Sequence, residues 1–246
     1  MNRLLKMASC ILLASVLTGS LLFFQPAMAS SITKDEAFNV VLYTELTEFA
    51  NKKCLISYNK GNMADALFYN TICTMALDQL TGFYYKIPLP YSMKVKLREK
   101  IKGHEKRLQA NDRLIKDKIN ERILFLKNAY ARKTSKHVGS PQKREAFLYG
   151  VILLVIRDNI IYCVNKHNSA GALFYCELKK QIIFEVEGLT SKTRSFNQKK
   201  KLKAIINESI KNLDMMQKLI LELINVEMKI LVDSIKKDLQ AKAILK

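Results

Sequence analysis

The chain has 246 residues, of which 41 are Lys or Arg and 22 are Asp or Glu, so its formal net charge is +19. Its hydrophobic fraction of 49% excludes a disordered chain and is enough for a sizeable core. It has only eight glycines and lacks the G-x-S-x-G, H-E-x-x-H and C-x-x-C patterns. These absences argue against phosphate-binding loops, common serine hydrolases, zinc proteases and thioredoxin-like enzymes.

The first 29 residues are typical of a cleavable signal peptide. Arg3 and Lys6 precede an apolar stretch over residues 11–24, and Ala27-Met28-Ala29 forms a cleavage site with small residues. Cleavage after Ala29 leaves 217 residues (246−29) with a charge of +17 (39−22). We expect no transmembrane span in the mature chain, and a periplasmic or secreted location. A retained membrane anchor is the alternative.

A repeated pattern predicts a tandem duplication. Glu36-Ala37-Phe38 recurs as Glu145-Ala146-Phe147, and Ala66-Leu67-Phe68-Tyr69 recurs as Ala172-Leu173-Phe174-Tyr175. The order of the matches is kept, and the offset changes only in segments expected to be loops. We therefore predict an all-α helical bundle in which a unit of two short helices and one long helix occurs twice, over residues 30–138 and 139–246.

In the first copy, helix signals appear in order along the chain. Thr33 and Glu36 form a capping-box pattern that opens a helix over about residues 34–57. The polar segment 59–62 ends it, and a second helix ends at Gly82. Pro88 and Pro90 predict an extended connection before a long helix from about residue 92 to 132.

The second copy has the same order. Ser140-Pro141 predicts a helix start, with the helix reaching about Val164. A second helix ends at Gly188, and the last long helix follows Ser195. The last helix has a broad apolar face, so we expect it near the centre of the molecule. We also expect the apolar run 151–156 to have little contact with water.

Four cysteines remain after signal cleavage: Cys54, Cys73, Cys163 and Cys176. An even number in an exported chain predicts disulfides. Pairing within each copy, Cys54 with Cys73 and Cys163 with Cys176, closes short loops and is favoured. Pairing between the copies, Cys54 with Cys163 and Cys73 with Cys176, is the alternative.

The ionisable residues give few indications of catalysis. The three histidines lack metal-ligand spacing, and we expect neither a metal site nor a cofactor. Glu36 and Glu145 occupy equivalent positions and could form a carboxylate pair. An acidic residue near a helix N-terminus is also explained by its favourable interaction with the helix dipole.

Lysine and arginine residues carry the main prediction about function. Two groups at the starts of the long helices are candidate sites for an anion or a partner: Lys94, Arg98, Lys102 and Lys106, and Lys199, Lys200, Lys201 and Lys203. Solvated charge that keeps the chain soluble is the alternative explanation.

Together these features predict an exported, non-enzymatic binding or adaptor protein that engages a protein partner or an anionic polymer or lipid surface of the envelope. We expect no specific recognition of nucleic acid. A carboxylate-dependent hydrolase and a membrane-surface-active secreted factor are the alternatives.

Overall fold

The computed structural model describes residues 32–134, 141–193 and 195–244. These ranges contain six α-helices and no strand, which confirms the all-α prediction. The helices are α1 (Lys34–Asn59), α2 (Met63–Lys86), α3 (Tyr91–Thr134), α4 (Pro141–Asn165), α5 (Ser169–Lys192) and α6 (Phe196–Ile244). The predicted signal peptide and residues 135–140 of the predicted joint lie outside the described residues.

The start of α1 is the capping box expected from the sequence. Thr33 Oγ1 accepts a hydrogen bond from the backbone N–H of Glu36 at 3.1 Å, and Thr33 N donates to Glu36 Oε2 at 2.9 Å. The two bonds satisfy backbone and side-chain groups that the first helical turn would otherwise leave free. Glu36 therefore has a structural role at this helix start.

The turns after α1 and after α4 have the same backbone geometry. In the first, Asn62 N donates to Ser57 O at 2.9 Å and Gly61 N donates to Tyr58 O at 2.9 Å. In the second, Asn168 N donates to Cys163 O at 2.8 Å and His167 N donates to Val164 O at 3.0 Å. Both are Schellman turns, which need a residue with positive φ just after the helix. That residue is Gly61 in the first turn, with φ of 75°, and His167 in the second turn, with φ of 52°.

The asparagine that ends each turn also caps the next helix. Asn62 Oδ1 accepts from Asp65 N at 3.2 Å, and Asn168 Oδ1 accepts from Gly171 N at 2.8 Å. The second cap is tightly packed, because a Cβ at Gly171 would lie 2.8 Å from Cys163 Sγ and from Asn168 Nδ2. Each helical hairpin is thus closed by one short polar segment.

The six helices form one bundle with a shared core. The helices α1 and α2 form one hairpin, α4 and α5 form another, and α2 contacts α5 between the two hairpins. The long helix α3 packs against α2 and also reaches α4, while α6 packs against α5 and also reaches α1. The main core cluster draws on all six helices, as Leu46, Phe68, Ile115, Ile152, Ile182 and Ile220 illustrate. Each long helix therefore connects both hairpins.

Two expectations about burial are wrong in detail. In α4, Ile152, Ile156 and Ile160 are buried, but Leu154 within the apolar run 151–156 is 52% exposed. In α6, one face is buried in the core, whereas apolar residues on its flanks, such as Leu219, are exposed. The bundle covers only one side of α4 and one side of α6, so the apolar residues on their other sides face outward.

Residues Arg144–Asn165 in α4 are long and apolar enough to cross a membrane, by length and composition alone. Arg157 and Asp158 interrupt its apolar residues, so the sequence alone predicts no spanning segment here. Its residues Ile152 and Ile160 are fully buried in the bundle, and a packed core helix satisfies the same criteria as a spanning one.

The predicted disulfides are not supported. Cys54, Cys73, Cys163 and Cys176 are all buried free thiols, and no two of them stand at disulfide distance. Cys54 Sγ lies 3.9 Å from Asn70 Oδ1, and Cys73 Sγ lies 3.7 Å from the backbone oxygen of Thr47. These two thiols thus lie within sulfur hydrogen-bond distance of a neighbouring polar group. An even number of cysteines does not ensure the specific Cβ separation that a disulfide needs.

Candidate functional site

The helix α3 contacts the bundle along one narrow face. Its buried residues follow steps of three and four along the chain: Leu97, Ile101, His104, Asn111, Ile115, Ile119 and Ile123. Residues at these spacings lie on one side of an α-helix. The rest of the circumference of this 44-residue helix is left to solvent or to partial contacts.

The first predicted group of basic residues lies on this outward side. Arg98, Lys102 and Lys106 are exposed, while Lys94 is half-buried with its Nζ 5.4 Å from the centre of the Tyr84 ring. Residues four apart form one ridge along a helix, and we name these four residues the α3 basic surface. The whole helix carries 14 basic and 5 acidic residues, a net charge of +9 (14−5).

Further along α3, basic residues have structural partners. Lys127 Nζ lies 2.5 Å from Glu185 Oε2 of α5, and the Tyr149 hydroxyl of α4 donates to the same carboxylate oxygen at 2.9 Å. This group joins three helices. Lys118 pairs with Glu121 one turn away at 2.7 Å. These two lysines are thus engaged within the bundle, while Arg113, Lys116 and Arg122 are exposed like the α3 basic surface.

The second predicted group lies elsewhere. Lys199, Lys200, Lys201 and Lys203 are all exposed at the start of α6. Burial and Glu48 raise the pKa of Glu45 in α1, while Lys242 and Lys100 lower it, so the end of α6 lies near the start of α3. Because α6 has 49 residues and rises about 1.5 Å per residue, its own start is remote from that end. The structure does not bring the two basic groups together.

A row of polar residues lies on the side of α3 that faces the α1–α2 hairpin, and of these His104 and Asn111 are buried whereas Asp112 is exposed. Asn111 Nδ2 donates to Asn51 Oδ1 at 2.8 Å, and Asp112 Oδ1 accepts from Asn70 Nδ2 at 2.5 Å. His104 is 4% exposed, and its Nδ1 is buried without a hydrogen-bond partner among the described residues. Burial, together with Arg107 and Lys100, lowers the pKa of His104 to about 4. The imidazole is therefore neutral near pH 7.

A cavity of about 270 Å³ lies where α2, α5 and α6 meet. It is lined by Asp65, Phe68, Tyr69, His167, Asn168, Ser169, Ala170 and Glu227. Burial raises the pKa of Tyr69, and Asp65 and Glu227 raise it further. The cavity wall therefore combines two carboxyl groups with a protonated phenol, a set that could hydrogen-bond a small polar or cationic molecule.

The Ser169 hydroxyl in the cavity wall is not arranged as a nucleophile. Ser169 is buried, and its Oγ donates a hydrogen bond to Glu227 Oε1, which ties the first turn of α5 to α6. The other carboxylates considered for catalysis lie at helix starts. Glu36 belongs to the capping box, and Glu145 is exposed as the fifth residue of α4. Among the described residues, no group of three or more His, Cys, Asp or Glu side chains could hold a metal ion.

The structure also reveals buried residues that the sequence pattern did not indicate. Lys179 in α5 is 2% exposed, and its pKa is lowered by burial first and by Arg157 as well. Lysine is almost always solvated, so periodicity alone does not place it inside a core. The cavity residues come from three helices far apart in sequence, and only the packed bundle brings them together.

Comparisons with protein-family models, with curated proteins and with solved structures find no match to this chain.

Proposed function

We propose that this chain is an exported, non-enzymatic binding protein whose α3 basic surface engages an anionic component of the cell envelope, either an acidic polymer or a lipid surface. The observation that carries the proposal is the combination of a net charge of +9 on α3 with a single buried face. Cations on an exposed ridge are free to approach phosphate, carboxylate or sulfate groups of a partner.

Export is part of the proposal and rests on the sequence of residues 1–29. Basic residues, an apolar stretch and a cleavage site of small residues occur there in the usual order. An anionic partner is abundant in the envelope, in the form of lipid headgroups and acidic polymers. Determining the N-terminal residue of the protein from its native cells tests this step, and we expect Ser30.

We also propose that the bundle is a tandem duplication of a three-helix unit. Corresponding helices have 26 and 25, 24 and 24, and 44 and 49 residues. The equivalent turns share their hydrogen bonds, their positive φ and their asparagine caps at an offset of 106 (167−61 and 168−62). This offset pairs Cys163 with Ser57 (163−57), so the cysteines themselves are not equivalent residues.

The binding proposal is tested by reversing charge on the α3 basic surface. We expect the variant with Arg98→Glu, Lys102→Glu and Lys106→Glu to lose at least about a hundredfold in affinity, since each lost cation contributes about 1 kcal/mol at an anionic surface and the new carboxylates add repulsion. The measurements are co-sedimentation with vesicles containing anionic lipid and retention on an immobilised acidic polysaccharide. Both interactions should weaken as salt increases, because salt screens exposed charges.

The matched control is Lys199→Glu, Lys200→Glu and Lys201→Glu, which changes the net charge by the same amount at the other basic group. We expect this control to retain most of the affinity. Equal losses in both variants would indicate attraction to net charge alone and would contradict a defined site. Failure of the unaltered protein to bind either probe at low salt would also contradict the proposal.

A further inference from the structure

The helix α6 has a second apolar face that the bundle does not cover. Met215, Leu219, Val226 and Ile230 are 55%, 42%, 59% and 62% exposed. They lie together on one flank of α6, away from the buried core residues Leu213, Ile220 and Ile224, since successive residues are about 100° apart around a helix. An exposed apolar patch on a helix whose core face is already buried is typical of a surface that packs against a partner.

This face continues beyond its apolar centre with a regular spacing. Exposed residues follow one another at alternating steps of four and seven along α6: Ala204, Glu208, Met215, Leu219, Val226, Ile230, Lys237 and Ala241. We name these eight residues the outer stripe. Steps of four and seven form an 11-residue repeat, which stays on one side of an almost straight helix. The stripe spans 38 residues (204 to 241), or about 56 Å of helix.

The outer stripe is symmetric about a point between Glu222 and Leu223. Residues at equal distances from this point are matched in character: Ala204 with Ala241, Glu208 with Lys237, Met215 with Ile230, and Leu219 with Val226. The one charged pair is of opposite sign. This order is what an antiparallel helix pair with twofold symmetry requires, because each residue then meets its counterpart in the other copy.

We propose that the outer stripe is the interface of a homodimer, in which α6 of one copy packs antiparallel against α6 of a second copy. Leu219 meets Val226 and Met215 meets Ile230 at the centre, so the four apolar residues of each copy leave water. Glu208 meets Lys237 on both sides of that centre. Symmetry places this ion pair in the dimer twice.

One charged residue opposes the pairing. Glu222 is exposed beside the symmetry point, so the two copies of its carboxylate approach each other. Lys218 and Lys229 lie on the same flank of α6, about one to two turns away, and reduce the repulsion. The proposed dimer therefore predicts that Glu222→Gln strengthens the association, because the substitution removes this repulsion. Only this register brings the two Glu222 side chains together.

The first test is a charge swap followed by sedimentation equilibrium of the full chain as its native cells process it. Lys237→Glu should raise the dissociation constant of the dimer about tenfold, because it places two like-charge contacts in the interface. Adding Glu208→Lys should restore the affinity to within about twofold of the original. The control Asp214→Lys, on another side of α6, should leave the dissociation constant unchanged.

Glu208→Lys by itself is a less clean variant, since Glu208 also acts on the buried ammonium of Lys179. The double variant carries the same substitution, so the effect on Lys179 cancels when its dissociation constant is compared with that of Glu208→Lys, which should be the higher of the two. If Lys237→Glu and the double variant are equally weak, antiparallel pairing at this register is wrong. A chain that remains monomeric at every soluble concentration overturns the proposal outright.

The second test is cross-linking under mild oxidation. A chain with both Leu219→Cys and Val226→Cys should form a covalent dimer, whereas either substitution alone should not. In the single variants the equivalent positions lie seven residues apart, or about 10 Å along the axis, beyond the reach of a disulfide. Cross-linking of the single variants would indicate parallel pairing and contradict the proposal.

Discussion

Polar side chains between α3 and the α1–α2 hairpin differ in how their hydrogen-bonding groups are satisfied. Asn111 bonds Asn51, and Asp112 bonds Asn70, so these contacts fix the register of α3 on the hairpin. His104 lies in the same seam with its Nδ1 unpaired among the described residues. A buried imidazole in this state is tolerated when neutral and becomes costly when protonated.

At this scale we predict that His104 makes the protein sensitive to acid. Its pKa is about 4 in the folded protein, against about 6.5 in the unfolded chain. Between these values the unfolded chain binds more protons, so the free energy of unfolding falls as the pH falls through this window. The difference corresponds to about 3 kcal/mol between pH 7 and pH 4.

The measurement is urea unfolding of the protein and of His104→Leu across this pH range. The variant should lose less stability than the original protein on acidification, by about 3 kcal/mol, because leucine does not titrate. His167→Leu is a suitable control, since that histidine is exposed. Parallel pH profiles for the protein and His104→Leu would show that His104 is not responsible.

At the scale of elements, the two helical hairpins are closed by equivalent turns with different residues at the critical position. Gly61 adopts its positive φ without steric strain, whereas His167 brings a Cβ into the left-handed region. The shared hydrogen bonds hold both in place. The turn after α4 therefore carries more backbone strain than the turn after α1.

This difference predicts opposite effects of substitution in the two turns. His167→Gly should raise the free energy of unfolding by about 0.5–1 kcal/mol, because the left-handed conformation is easier for glycine than for histidine. Gly61→Ala should lower it by about 1 kcal/mol for the same reason. Thermal unfolding followed by circular dichroism measures both.

A matched control in the first turn is Lys60→Ala, whose φ of −84° is ordinary for any residue. It should leave stability almost unchanged. A destabilising effect of His167→Gly would mean that the histidine side chain contributes more to the turn or to the adjacent cavity than the backbone loses by adopting a positive φ.

At the scale of the whole molecule, one core holds the bundle together. All six helices contribute to it, and each long helix contacts both hairpins. The four described cysteines belong to this core as buried thiols. Burial, with Cys73 and Asp112 nearby, raises the pKa of Cys54 to about 12, and burial raises the pKa of Cys176 to about 11. Thiols in this state are protonated and poor nucleophiles.

We therefore predict that reducing agents leave the stability of the protein unchanged. The free energy of unfolding should be the same with and without dithiothreitol, since no disulfide restricts the unfolded chain. A thiol reagent should react slowly with Cys54, Cys73, Cys163 and Cys176 in the folded protein and quickly after unfolding. An intact mass that is lower by two hydrogens for each cysteine pair would indicate disulfides and contradict the buried-thiol structure. A large loss of stability on reduction would also contradict it.

Local sequence patterns predicted the elements well because their causes are local. The capping box at Thr33 and the prolines before α3 act within one or two turns, and the observed helices begin close to the predicted residues. The spacing of Leu97, Ile101 and Ile115 likewise indicated which side of α3 is buried. Exposure of Arg98, Lys102 and Lys106 follows from the same periodicity.

Features that depend on contacts between distant segments were not predictable in this way. The cysteine pattern indicated disulfides, but only the distances in the packed bundle decide whether two sulfur atoms can meet. The apolar residues of α6 suggested a central helix, yet one side of it is covered and Leu219 on the other is exposed. The cavity between Tyr69, Ser169 and Glu227 arises only when three helices converge.

By itself, the sequence determined that this protein is helical, where its helices begin, and which surface of α3 carries charge, because hydrogen bonding and periodicity act within a helix. Tertiary structure alone decided that the thiols stay free, that His104 and Lys179 are buried, and that α6 has an uncovered apolar face. These properties depend on which helices lie side by side, and that is set by the competition of all six for one core.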